Sequence, residues 1–243
     1  MSDVKNTTSS ENENPYVVEE INGKLKLFSD GSIIRYLRSI NPTPKLPLDD
    51  AKYPTISPFD FEYDPTHNLY LRVYRDEFRL YTPYVDGPFG NPTIIIYLHG
   101  GGFCLDSLIM AANHNFCIRL CNALAEFVIS VDYRLAPDDR LPAAVDDVWT
   151  ALKWVRETFC EGENRKGFGR VVIFGDSAGG NIAHNLAVRI ASGGWRELDP
   201  IRVVGYVLLA PLFGGGATVQ GLSRSYKVLL TLTIWISLTS TGD

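Results

Sequence analysis

The chain has no run of about 18 consecutive apolar residues, the length a helix needs to cross a bilayer. The apolar stretch near its end, residues 228–238, is too short for that. Residues 1–14 are rich in Ser, Thr, Asn and Glu and hold no apolar centre. They therefore do not read as a secretory signal but as a disordered leader. An excess of positive charge is also missing. Lys and Arg number 23 against 28 for Asp and Glu, a net charge of −5, and no basic stripe stands out, which argues against a nucleic-acid partner. Cysteine is sparse. Cys104, Cys117, Cys121 and Cys160 form no Cys-x-x-Cys pair and no Cys–His spacing of a zinc site, so neither metal nor cofactor is called for. Cys117 and Cys121 lie one helical turn apart and read as small apolar groups on a core face. These absences point to a reducing compartment, by default the cytoplasm, with no membrane partner and an oligomeric state that composition leaves open. Histidine is scarce too: 4 in all, and only His184 follows residue 177.

What is present is periodic. Residues 16–40 are rich in Leu, Ile, Tyr and Phe around a Ser29-Asp30-Gly31-Ser32 turn, and residues 41–58 carry Pro42, Pro44, Pro47, Pro54 and Pro58, which exclude a long helix. Residues 59–63 and 69–75 alternate about a turn-like Asp64-Pro65-Thr66-His67 and predict an antiparallel hairpin. Residues 93–98, 127–132, 170–174 and 203–209 are continuous β-branched or apolar runs, the pattern of strands covered on both faces. Helical spacing fills the gaps: 114–125, a segment starting at Pro142, and one opening at Ser177 and ending at Gly193-Gly194. Strand and helix alternating in this way predict an α/β fold with a mostly parallel sheet and helices on both faces, in a single domain over 15–243.

Two glycine-rich motifs follow predicted strands. Gly175-Asp176-Ser177-Ala178-Gly179 is Gly-x-Ser-x-Gly, a strand-to-helix turn that exposes a serine hydroxyl and aims the helix N-terminus at it. His99-Gly100-Gly101-Gly102-Phe103 offers backbone N–H groups to a developing oxyanion. No Gly-Lys-Ser/Thr accompanies it, so a phosphate loop does not fit. Together they predict an acyl-transfer site. His99 invites the role of base, but at the end of a strand it reads better as a group that fixes the loop. Asp176 reads as a local hydrogen-bonding carboxylate.

At these residues the sequence resembles the hormone-sensitive-lipase branch of the α/β-hydrolases, and plant carboxylesterases in particular. Four blocks carry the likeness: HGGGF at 99–103, DYRLAPDDRLPAA at 132–144, GDSAGGNIAH at 175–184, and PYVVEE with LFSDGS between 15 and 32. The resemblance implies the α/β-hydrolase fold with an eight-stranded sheet, and hydrolysis of short-chain or aromatic carboxylic esters without a cofactor. It implies Ser177 as nucleophile, Gly101, Gly102 and Ala178 as oxyanion donors in a motif opened by His99 and Gly100, and a lid-like role for residues 15–40.

The likeness stops near Gly216. The family's remaining strands and the loops that carry its triad acid and histidine have no visible counterpart in 217–243, an atypical tail with no histidine and Asp243 as its only acid. The expectation is a C-terminal part truncated or altered after about residue 216, with the last strands missing. His184 cannot substitute: seven residues along a helix from Ser177 is about 10 Å. Two rivals follow. One is a non-hydrolytic relative of the gibberellin receptors, which resemble the fold and lack a working triad histidine. Their turn resembles His-Gly-Gly-Ser, whereas Gly102 keeps a third glycine here. The other is an inactive pseudoenzyme.

Overall fold

A computed structural model describes residues 14–21, 23–36, 49–77, 93–124, 127–160 and 169–213. The leader (save Asn14), Pro42, Pro44, Pro47 and the tail 217–243 lie outside the described residues. The chain divides into two compact units, Met1–Asn41 and Pro42–Asp243.

The first unit is a three-stranded antiparallel meander of β1 (Val17–Ile21), β2 (Leu25–Phe28) and β3 (Ile33–Arg35). The turn expected at Ser29–Ser32 joins β2 to β3. The Asp30 carboxylate closes it by accepting the Ser32 N–H at 2.9 Å, an Asx turn.

Among the described residues the second unit is built on six strands: β4 (Ile56–Asp64), β5 (Leu69–Asp76), β6 (Thr93–Leu98), β7 (Phe127–Val131), β8 (Arg170–Asp176) and β9 (Arg202–Leu209). Their order is β4-β5-β7-β6-β8-β9. The β4–β5 hairpin is antiparallel and joins β7 antiparallel, while β7, β6, β8 and β9 run parallel. Helices α1 (Ala111–Leu124), α2 (Ala143–Val155) and α3 (Ala178–Arg189) make the crossovers, and a short α4 (Trp195–Leu198) precedes β9.

All of β6, Thr-Ile-Ile-Ile-Tyr-Leu, is buried because both its faces are covered. Ile94, Ile96 and Leu98 pack with Val148 and Leu152 of α2 and Ile182 and Leu186 of α3. Ile95 and Tyr97 point the other way and pack with Cys117, Ile118 and Cys121 of α1. The two-residue strand period thus feeds two cores from one strand.

Regular α3 ends at Arg189, its path widens from Ile190, and it breaks at Gly193 (φ 110°), within the glycine pair expected to end it. One boundary differs from the sequence pattern. Helix α1 starts three residues before His114, at Ala111. Its first turn carries Asn113, whose amide nitrogen donates 2.9 Å bonds to Asp106 Oδ1 and the Ser107 carbonyl in the preceding loop.

Candidate active site

β6 and β8 are hydrogen-bonded neighbours in a register that sets Leu98 opposite Gly175. Their carboxyl ends therefore coincide, and the two glycine motifs leave the sheet side by side, at the edge where open parallel sheets bind ligands.

In the β8–α3 turn, Ser177 has φ 50° and ψ −109°, a conformation that costs a non-glycine residue about 1–3 kcal/mol. The surroundings enforce it. The Ser177 N–H donates to the Leu209 carbonyl at 2.8 Å, and its own carbonyl accepts from Leu212 N–H at 2.9 Å and Asn181 N–H at 3.2 Å. The flanking glycines leave no room for anything larger. A Cβ on Gly175 would run into the Gly179 carbonyl, and one on Gly179 into the carbonyls of Leu98 and His99.

The β6–α1 loop lies against this elbow. A Cβ on Gly100 would stand 3.4 Å from Ser177 Cβ and 3.2 Å from Asp176 Oδ2. Beyond it the backbone turns left-handed at Gly101 (φ 98°), Gly102 (φ 64°), Phe103 (φ 65°) and Asp106 (φ 81°). Gly101 is needed twice over, since its Cβ would also strike the Leu105 carbonyl; around Gly102 there is open space and only the φ matters. Among the described residues no hydrogen bond uses the N–H of Gly101, Gly102 or Ala178. Ala178 opens α3, so its N–H belongs to the electropositive first turn.

His99 is buried, and its partners are all in the frame of this loop. Nδ1–H donates to the Gly100 carbonyl at 2.9 Å, the ring stacks on Tyr133 with centroids 4.3 Å apart, and Nε2 stands 3.7 Å from Asp132 Oδ1. Burial raises the pKa of Asp132, opposed by His99 and by the Leu108 N–H that its carboxylate accepts. Burial also raises that of Asp176, with Asp106 adding to the effect and His99 opposing it. Asp176 borders a cavity of about 200 Å³ walled by Tyr97, Asn113, Phe116, Phe174 and Leu209.

The other three histidines are engaged elsewhere. His67 pairs with Asp64 at 2.8 Å in the β4–β5 turn. His114 meets Asp50 at 2.9 Å through Nε2 and the hydroxyl of Tyr74 at 3.1 Å through Nδ1. His184 sits edge-on to Phe213, ring centroids 5.1 Å apart. The structure thus brings Ser177, Ala178 and the His99–Gly102 turn together without an imidazole in contact with the serine among the described residues. Sequence reading missed Asp132 and Tyr133, which support the loop; the available signal was a polar–aromatic pair directly after the buried run of β7.

No group of three or more His, Cys, Asp or Glu among the described residues is placed to hold a metal ion. Likewise, none of the described helices is long and apolar enough to cross a membrane.

A family model described as the alpha/beta hydrolase fold matches residues 95–234. The match continues past Gly216, so the likeness reaches into the tail that the sequence blocks leave unassigned. Relatives include the "Probable carboxylesterase 8" of Arabidopsis thaliana, 32% identical over 79% of this chain and 55% of its own length. The "Gibberellin receptor GID1B" of the same plant is 36% identical over 79% and 53%. The "3-O-acetylpapaveroxine carboxylesterase CXE2" of Papaver somniferum is 39% identical over 56% and 44%. The chain spans about half the length of the curated relatives it matches. Among solved structures, an esterase of the archaeon Pyrobaculum calidifontis superposes with a TM-score of 0.52 at 32% identity, covering 73% of this chain and 51% of that one. Esterase LipW of Mycobacterium marinum gives 0.51 at 28%, covering 70% and 48%.

Proposed function

From a chain that belongs to the α/β-hydrolase family, among the plant carboxylesterases of the hormone-sensitive-lipase branch, we propose a carboxylic-ester hydrolase that works through an acyl-enzyme on Ser177. The observation that carries this reading is the elbow itself. A serine in a costly conformation is pinned between β9 and α3 with the Gly100 turn packed against it.

In this reading Ser177 Oγ attacks the carbonyl carbon of a small short-chain or aromatic ester. Negative charge gathers on the carbonyl oxygen, where the N–H groups of Gly101, Gly102 and Ala178 and the N-terminus of α3 stabilise it. Collapse expels the alcohol, and water then releases the acid. Each proton transfer needs a base at Ser177; His67, His99 and His114 are engaged by other partners, and His184 lies seven residues along α3. Losing the histidine of a serine triad costs on the order of 10⁶ in kcat. Expressed alone, a protein of this sequence is therefore expected to turn over an aryl acetate only at that residual level. The four thiols form no disulfide, which favours a reducing compartment such as the cytoplasm.

The test is covalent. On long incubation an aryl fluorophosphonate should label wild type, slowly for want of an imidazole base, and leave Ser177→Ala untouched. Labelling that survives in the alanine variant would reject Ser177 as the nucleophile. The likeness to a gibberellin receptor supports a second reading, a binding protein. Calorimetric titration with a gibberellin decides it: heat of binding with no labelling would favour the receptor reading.

A further inference from the structure

We propose that Asp132 is the positioning residue of the oxyanion turn, its carboxylate anchoring the far end of loop 99–108 at Leu108 while facing His99 at the near end. The inference rests on the ester-hydrolase reading of that turn.

The loop cannot hold its shape by itself. It passes through four left-handed positions, and two of them, Phe103 and Asp106, are not glycine. Such backbone persists only where surrounding structure over-determines it. Inside the loop, Cys104 and Leu105 N–H both return to the Gly101 carbonyl, at 3.2 and 3.0 Å, and Ser107 N–H donates to Asp106 Oδ1 at 2.9 Å.

The rest of the support comes from the segment leaving β7. Asp132 Oδ1 accepts the N–H of Leu108, at the loop's far end, at 2.6 Å. The same oxygen stands 3.7 Å from Nε2 of His99, at its near end. Tyr133 donates its hydroxyl to the His99 carbonyl at 2.7 Å, and Ala136 N–H reaches the Phe103 carbonyl at 2.8 Å.

The segment is itself rigidly held. Asp132 N–H donates to the Tyr70 carbonyl at 3.1 Å, and its carbonyl accepts the Tyr63 hydroxyl at 2.7 Å, tying it to β5 and β4. The guanidinium of Arg134 pairs with the buried Asp147 of α2 at 2.7 Å. Residues 132–136 thus form a fixed seat, in which Asp132 is bonded to the loop's far end at Leu108 and Tyr133 to its near end at His99.

The experiment compares wild type, Asp132→Asn and Asp132→Ala by hydrogen exchange and by the rate of Ser177 labelling with an aryl fluorophosphonate. In the alanine variant the amides of 99–108 should exchange roughly 10- to 100-fold faster, the range expected when one charged hydrogen-bond partner is removed, while those of α3 keep wild-type rates. Labelling should slow by a comparable factor. Asparagine, which still offers an oxygen to Leu108, should recover most of both. Unchanged exchange in 99–108, an equal rise in α3, or faster loop exchange with unaltered labelling would each overturn the proposal. A wild type that takes no label would instead overturn the ester-hydrolase reading, and the exchange rates alone would then decide the role of Asp132.

Discussion

The two glycine turns lie side by side yet differ in how much room they leave. The elbow at 175–180 is close-packed as well as bonded: Gly175 is packed against Gly179, Gly179 against the end of β6, and Ser177 is bonded to Leu209 and Leu212. The loop at 99–108 is held from a distance, by Asp132, Tyr133 and Ala136. One turn tolerates no added atom. The other tolerates atoms in places but not the loss of a remote partner.

Substitutions can break or sharpen this contrast. The largest effect is expected at the elbow. Gly179→Ala drives a methyl group into two backbone carbonyls that cannot step aside, and should cost about 3 kcal/mol or more, read as a fall in the urea midpoint together with loss of Ser177 labelling. Next comes a paired test in the loop. Gly101→Ala meets both the Leu105 carbonyl and an unfavourable φ, and should cost about 2–3 kcal/mol. Gly102→Ala meets only the φ and should cost about 1 kcal/mol. Equal losses at the two sites would show that space, which separates them in the structure, plays no part. Tyr133→Phe removes the hydroxyl bonded to His99 but keeps the stacked ring, and should cost about 1 kcal/mol, with the elbow's amide exchange unchanged.

The smallest effect is a pH dependence. Burial raises the pKa of Asp176 above its ordinary 3.8. The folded state therefore holds that proton more tightly than the unfolded state does. Its contribution favours folding at low pH and is lost as pH rises through the raised value. Asp176→Asn lacks this term, so the variant should gain on wild type as pH climbs from about 4 to 7. Urea midpoints measured across that range check it, and a gap that widens in the other direction would contradict the sign.

The same contrast explains what could be read in advance. The strands of the parallel sheet are legible because burial on both faces leaves an uninterrupted apolar signature, as in β6. The β4–β5 hairpin is legible from alternation about a turn. The elbow's residue types fall within five positions, so spacing exposes them, although the groups that crowd and bond it come from β6 and β9. The support of the oxyanion loop is not legible: Leu108 and Asp132 are 24 positions apart, and only the parallel pairing of β6 with β7 brings them together. The end of α3 is legible too: Gly193, of the expected glycine pair, takes a left-handed φ of 110° that breaks the helical path.

Strand β9 gives the nucleophile a mechanical neighbour. The N–H of Ser177 is bonded to the last residue of that strand, and its carbonyl to Leu212 just beyond. The descending backbone thus grips both sides of the serine before it departs. The strand is therefore a leash on the serine as well as a wall of the sheet.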